Sequence, residues 1–178
     1  MKLLAFLGNP GDKYKRSRHN IGFIIGEYFC DTRGIVPSQK KFNSFCGVGK
    51  VDGVEVCALF PLTYMNASGD AVAQAAMFYK IAPSDIIVVH DEIEFPFGKT
   101  DVKFSGGHKG HNGVRSIVQR LGTGDFARLR FGVGRPEHPA ISVADYVLGN
   151  FLSEEMSRIM EMLPDVSSLL AEEIKVAR

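Results

Sequence analysis

Two periods govern the apolar positions of the chain. Lys2–Leu7 is a nearly unbroken apolar run halted by Gly8-Asn9-Pro10-Gly11, the pattern of a buried strand entering a turn. Between Asn20 and Arg33, residues Ile21, Ile24, Ile25, Tyr28 and Phe29 recur at helical spacing, and Gly34 stops them. Phe45–Val51 and Val54–Phe60 flank Asp52-Gly53, a two-residue hairpin signal. Ala-rich Ala67–Ile81 predicts a helix closed by Pro83, Ile86–Val89 a short strand, and Thr100–Phe104 another. Ser105–Gly113 is a glycine-rich loop that leads into a helix over Val114–Leu121. In Arg128–Gly134, Leu129, Phe131 and Val133 face one way and Arg128 and Arg130 the other. Ser153 is expected to cap a helix that carries Glu154 and Glu155 in its first turn and ends at Pro164, before a last amphipathic helix over Val166–Val176. Strands mixed with helices, plus a hairpin, predict the α/β class: one domain over residues 1–178, a mixed, twisted β-sheet flanked by helices.

Composition narrows this picture. With 45% hydrophobic and 23% charged residues among 178, the chain is neither disordered nor fibrous. No apolar run approaches the roughly 20 residues of a membrane helix. The N-terminus lacks a small-residue cleavage site, so no signal peptide is expected. Cys30, Cys46 and Cys57 lack CxxC spacing and read as reduced core residues of a cytoplasmic protein. The net charge of +1 hides a pattern: residues 1–50 carry +6, 51–98 carry −6, 99–135 carry +6 and 136–178 carry −5. Two basic blocks meeting in the fold would suit a polyanion.

In open α/β sheets, ligands sit beyond the carboxyl ends of the strands. That rule points to Asn9, after the first strand, and to His90-Asp91. His19, in the polar segment Lys15-Arg16-Ser17-Arg18-His19-Asn20, is a candidate general base. Its neighbouring cations are expected to lower its pKa and keep it neutral. Asp91 needs a partner if buried, and a histidine partner would gain a fixed tautomer and a stabilised imidazolium. The loop Ser105–Gly113 could bring backbone N–H groups near a ligand, but no Walker or GxGxxG pattern is present. Asn66 could cap the following helix or use its amide to read a peptide. His90, His108, His111 and Asp91 lack the HExxH spacing or cysteine ligands of a zinc site.

Taken together, the segments carry a resemblance. Gly8-Asn9-Pro10-Gly11, Arg18-His19-Asn20-Ile21-Gly22, Pro61-Leu62-Thr63-Tyr64-Met65-Asn66-Ala67-Ser68-Gly69, His90-Asp91-Glu92, Gly106-Gly107-His108-Lys109-Gly110-His111-Asn112-Gly113 and Arg128-Leu129-Arg130-Phe131-Gly132-Val133-Gly134, followed by Val147-Leu148-Gly149, resemble in this order the bacterial peptidyl-tRNA hydrolases. The resemblance runs from about residue 3 to about residue 151. It implies a monomeric, cytoplasmic α/β enzyme that hydrolyses the ester between a peptide and the 3′-terminal ribose of tRNA. It implies no cofactor, no metal, no membrane and no obligate protein partner. By the resemblance His19 is the catalytic histidine, Asp91 its carboxylate partner, and Asn9 an amide near the reacting carbonyl. Asn66 and Asn112 hold the peptide and terminal adenosine, Met65 and His111 wall the pocket, and Tyr64 joins this substrate-binding set. Tyr14 lies beside the tRNA end, and Lys103 and Arg130 meet the tRNA backbone. Around Ser142 the family often has a basic residue that this sequence lacks. None of the serines sits in a GxSxG elbow, which favours direct attack by water. Two other readings compete: an RNA-binding module without chemistry, and a metal-dependent hydrolase built on the histidines.

Overall fold

The computed structural model describes residues 1–178. Its seven strands are β1 (Lys2–Phe6), β2 (Gln39–Lys41), β3 (Ser44–Val51), β4 (Val54–Pro61), β5 (Ile86–Glu92), β6 (Thr100–Phe104) and β7 (Ala127–Gly132). They form one sheet in the order β2-β3-β4-β1-β5-β7-β6. The central four, β4, β1, β5 and β7, run parallel, and antiparallel pairings close both edges. The helices are α1 (Ile21–Thr32), α2 (Ser68–Tyr79), α3 (Asn112–Leu121), α4 (Val143–Leu148) and α5 (Ser153–Ile174).

The continuous apolar runs are explained by burial on both faces of the sheet. Leu4 and Phe6 of β1, with Ile87 and Val89 of β5, pack against α1 and α5. Leu3, Ala5, Leu7, Ile86 and Val88 point the other way and pack against α2 and α3. Each fully buried Leu or Ile contributes about 2–3 kcal/mol of burial energy. The hairpin falls where the sequence placed it, with Asp52 at φ 47° and Gly53 at φ 85°, the left-handed pair of a type I′ turn.

Two expectations for the last helix are not met. Ser153 does not cap α5: Leu152 holds that position, and its N–H donates to Glu155 Oε1 at 2.8 Å. Pro164 does not end the helix, which runs on to Ile174. The apolar stripe Ile159, Leu163, Val166, Leu170 and Ile174 is buried along its whole length, and Pro164 lies on the exposed side. There the carbonyl of Met160, robbed of an N–H partner, faces water, and packing of the stripe outweighs proline's cost. Arg128 lies with Arg130 on the face of β7 opposite Leu129, as the alternation predicts. It is only 3% exposed and lies beneath the glycine loop.

One close approach sets the site. A Cβ on Gly22 would fall 2.4 Å from the carbonyl oxygen of Leu7 and 2.5 Å from that of Val89. Glycine alone lets α1 begin against the carboxyl ends of β1 and β5, and this brings His19 to Asp91.

Candidate active site

His19 lies in a short 3-10 turn, Arg18–Asn20, directly ahead of α1. Asp91 is at the carboxyl end of β5, and His111 caps the N-terminus of α3. Residues 72 apart in sequence thus meet: His19 Nδ1 is 2.9 Å from both carboxylate oxygens of Asp91. His111 Nδ1 accepts the backbone N–H groups of Gly113 (3.1 Å) and Val114 (3.3 Å), so its ring proton sits on Nε2. That proton is donated to Asp91 Oδ1 at 2.8 Å. The carboxylate can only accept, so His19 also carries its proton on Nδ1 and turns the lone pair of Nε2 outward.

The electrostatics follow from burial. Burial pulls the His19 imidazole down, but the charge and hydrogen bond of Asp91 outweigh it, and its pKa is raised above the ordinary value. The expected lowering by neighbouring cations is not found. Lys15 is paired with Asp12, and Arg18 reaches away to Glu155 and the carbonyl of Tyr146. Asp91 is 2% exposed, and burial pushes its carboxyl up; the two histidines prevail and hold it well below the carboxylate range.

Asn9 is oriented by a chain of amides. Its Oδ1 accepts the N–H of Met65 at 2.8 Å, which leaves the Nδ2 group as a free donor. Its backbone is gripped at both ends by Asn20: the Asn9 N–H donates to Asn20 Oδ1, and Asn20 Nδ2 donates to the Asn9 carbonyl, both at 2.9 Å. Ser17 Oγ donates to the same Asn20 oxygen at 3.2 Å. Sequence reasoning passed over Asn20 as the first residue of a helix. Its position next to His19, in a polar run before an apolar helix, was the available signal.

A cavity of about 280 Å³ opens beside His19 and Asp91 and includes His111, Asn112, Lys109 and Arg135. Val143, Ala144 and Val147 of α4 form its other wall. Arg135 pairs with Glu94; sequence reasoning gave neither Arg135 nor Val143 and Ala144 a role, and Val147 entered only through the matched segment Val147-Leu148-Gly149. A second cavity of about 350 Å³ lies on the Asn9 side, lined by Pro10, Asp12, Lys15, Asn20 and Phe23 among others. The largest cavity, about 640 Å³, lies between α2 and α3 around Asp70, Gln74 and Arg120 and contains none of the candidate residues.

The remaining candidates fall into groups. Met65 is buried against the start of α3, and Asn66 and Tyr64 are exposed beside it. Asn66 is not a cap, because Ala67 precedes α2 without a side-chain bond. Asn112 is exposed at the start of α3. Tyr14 is half-buried in the turn Asp12–Tyr14. Lys103 and Arg130 line a small niche with His90, His108 and Arg128. Lys103 has no carboxylate partner, whereas Arg130 is held bidentately by Asp101 (2.8 and 2.7 Å) and also by Glu92 (3.3 Å). One histidine–carboxylate trio, His19, Asp91 and His111, has ligand atoms within 4.8 Å of one another. Each of its nitrogens facing Asp91 already donates a proton there, so a metal would have to displace both protons.

Comparison with known proteins agrees with this geometry. A family model described as peptidyl-tRNA hydrolase matches residues 3–177. The chain belongs to the peptidyl-tRNA hydrolase family. Peptidyl-tRNA hydrolase of Geotalea daltonii is 44% identical over 176 residues, spanning 97% of this chain and 91% of the relative. That of Syntrophotalea carbinolica is 47% identical over 163 residues, spanning 92% and 85%. Among solved structures, peptidyl-tRNA hydrolase from Acinetobacter baumannii superposes with a TM-score of 0.91 at 38% identity, covering 98% of this chain and 89% of that one. The fold expected from sequence, an α/β domain with a mixed sheet, is therefore the family's fold. No helix is long and apolar enough to cross a membrane.

Proposed function

We propose that this peptidyl-tRNA hydrolase cleaves the ester between a peptide and the 3′-terminal ribose of tRNA by attack of a water that His19 activates. The observation that carries the mechanism is the outward Nε2 of His19, held in its tautomer by a buried carboxylate that His111 also grips. Water within reach of Nε2 gives up a proton to the ring as its oxygen bonds the ester carbonyl carbon. Asp91 stabilises the imidazolium so formed. The carbonyl oxygen becomes an oxyanion, and the free Nδ2 of Asn9 is a donor fixed in advance to meet it, worth roughly 3–4 kcal/mol by analogy with other such donors. Collapse breaks the bond to the ribose 3′ oxygen, which takes the proton back from His19 and leaves as free tRNA. Peptide and tRNA are the products.

The remaining roles extend this reading. Asn66, Asn112, Tyr64, Met65 and His111 bound the substrate, Tyr14 lies along the tRNA end, and Lys103 and Arg130 meet its phosphates. The enzyme works as a cytoplasmic monomer, residues 1–178 forming one catalytic unit. The test is release of peptide and intact tRNA from peptidyl-tRNA by purified protein, with and without a strong chelator. Turnover in both conditions is expected. Binding without turnover would return the protein to the class of RNA-binding modules, and loss of turnover on chelation would make it a metal enzyme.

A further inference from the structure

His90 is unused by the mechanism above, yet it touches the machinery on two sides. Its Nδ1–H donates to the backbone carbonyl of Asp91 at 2.7 Å. Its ring packs edge-on against His111, with centroids 4.7 Å apart. The proton on Nδ1 leaves Nε2 a bare acceptor, and that atom is buried without a protein partner. Burial, with the neighbouring His111 ring and the Arg128 guanidinium, pushes the His90 pKa down to about 3, so the ring stays an acceptor at any physiological pH.

A complementary orphan lies nearby. Arg128 Nε is a donor, also buried without a protein partner. The other guanidinium nitrogens hold the glycine loop, Nη1 donating to the Gly107 carbonyl at 2.7 Å and Nη2 to that of Gly106, and Nη2 also reaches the Gly124 carbonyl between α3 and β7. His90 and Arg128 are 4% and 3% exposed, and both line one niche of about 20 Å³. That volume admits a water, which needs about 10–15 Å³. Water can accept from Arg128 Nε–H and donate to His90 Nε2 at once.

We propose that one buried water bridges His90 Nε2 and Arg128 Nε, and that His90 is thereby a positioning residue that ties the glycine loop to the Asp91–His111 pair. The loop end that carries Lys109, His111 and Asn112 and the strand end that carries Asp91 then share one hydrogen-bonded frame. The water rests on the two unpartnered nitrogens and the niche their residues share; the positioning role rests on the hydrolase reading above.

The experiment has two arms. A high-resolution crystal structure of the wild-type protein is expected to show one ordered water within hydrogen-bond distance of both nitrogens. An empty niche, or a side chain filling it, overturns the water. In the second arm, His90→Phe keeps the ring's volume but removes both hydrogen bonds, and His90→Asn restores the donor to the Asp91 carbonyl. His90→Phe is expected to lower kcat for peptidyl-tRNA about 10–100-fold, the scale of small misplacements in an active site, with KM within twofold of wild type. His90→Asn is expected to recover part of that loss. Both are assayed well below their melting temperatures, so that a merely structural role would lower Tm and leave kcat alone. Wild-type kcat in either folded variant overturns the positioning role. If wild-type protein failed to cleave peptidyl-tRNA, the functional reading would fall while the crystallographic arm still decided the water.

Discussion

Replacing Asp91 by asparagine preserves shape and removes one charge, which makes it a sharp probe of the site. His111 is locked with its proton on Nε2 and claims an acceptor at the Oδ1 position, so the amide oxygen goes there. The amide NH₂ then occupies the Oδ2 position, 2.9 Å from His19 Nδ1 in the wild type. The acceptor at Oδ1, also 2.9 Å from His19 Nδ1, is shared with His111, so the added donor shifts His19 toward the opposite tautomer, whose Nε2 carries a proton and cannot act as base. The imidazolium formed during attack also loses its counter-charge. At about 4 Å and an effective dielectric near 20 that attraction is worth about 4 kcal/mol, about three orders of magnitude in rate. We expect kcat to fall about 10²–10⁴-fold, with tRNA affinity unchanged. The pH profile gives an independent sign. In wild type the carboxylate raises the His19 pKa, so the acid limb lies above the ordinary imidazole value. In the variant only burial is left, and burial lowers it, so the limb moves to lower pH. Kinetics of peptidyl-tRNA hydrolysis between about pH 5 and 9, with tRNA binding measured separately, check both points. A loss below tenfold, or a limb that stays in place, would refute the reasoning.

Asn20→Ala unmakes two buried hydrogen bonds to the Asn9 backbone. It should destabilise the protein by about 2–4 kcal/mol in denaturant unfolding and lower kcat through a misaimed Asn9, without raising KM. Lys103→Ala should reduce the logarithmic salt slope of tRNA binding by about 0.7–0.9 and leave Tm unchanged, because Lys103 has no partner to strand. Arg130→Ala should lower Tm as well, since it leaves Glu92, 8% exposed, without its cation; thermal melts beside salt titrations separate the two. Pro164→Ala should raise Tm, because alanine restores the missing N–H inside a helix that already runs through the position.

Much of this was legible before any fold was seen, for physical reasons that differ by residue. Leu3–Leu7 announced a strand buried on both sides because five successive apolar residues leave no face for solvent. Asp52-Gly53 announced its turn because few other pairs accept two positive φ angles. The pairing of His19 with Asp91 came from matched motifs, since local pattern carries no information across 72 positions. What escaped was set by tertiary context. The pKa of His19 is governed by a carboxylate from another strand rather than by its sequence neighbours. Alternation gave Arg128 its face but carried no sign of the glycine loop folded over it, and Pro164 looked like a stop until the buried stripe held the helix together. Asn20 and the α4 wall act through positions in space that no periodicity reports.

The central claim is that His19 is the base. Its most direct test is single-turnover hydrolysis of peptidyl-tRNA by His19→Ala at saturating enzyme, with tRNA affinity measured on the same protein. The account predicts a folded variant that binds tRNA like wild type and cleaves about 10²–10⁴-fold more slowly. Cleavage within a few-fold of wild type would contradict it.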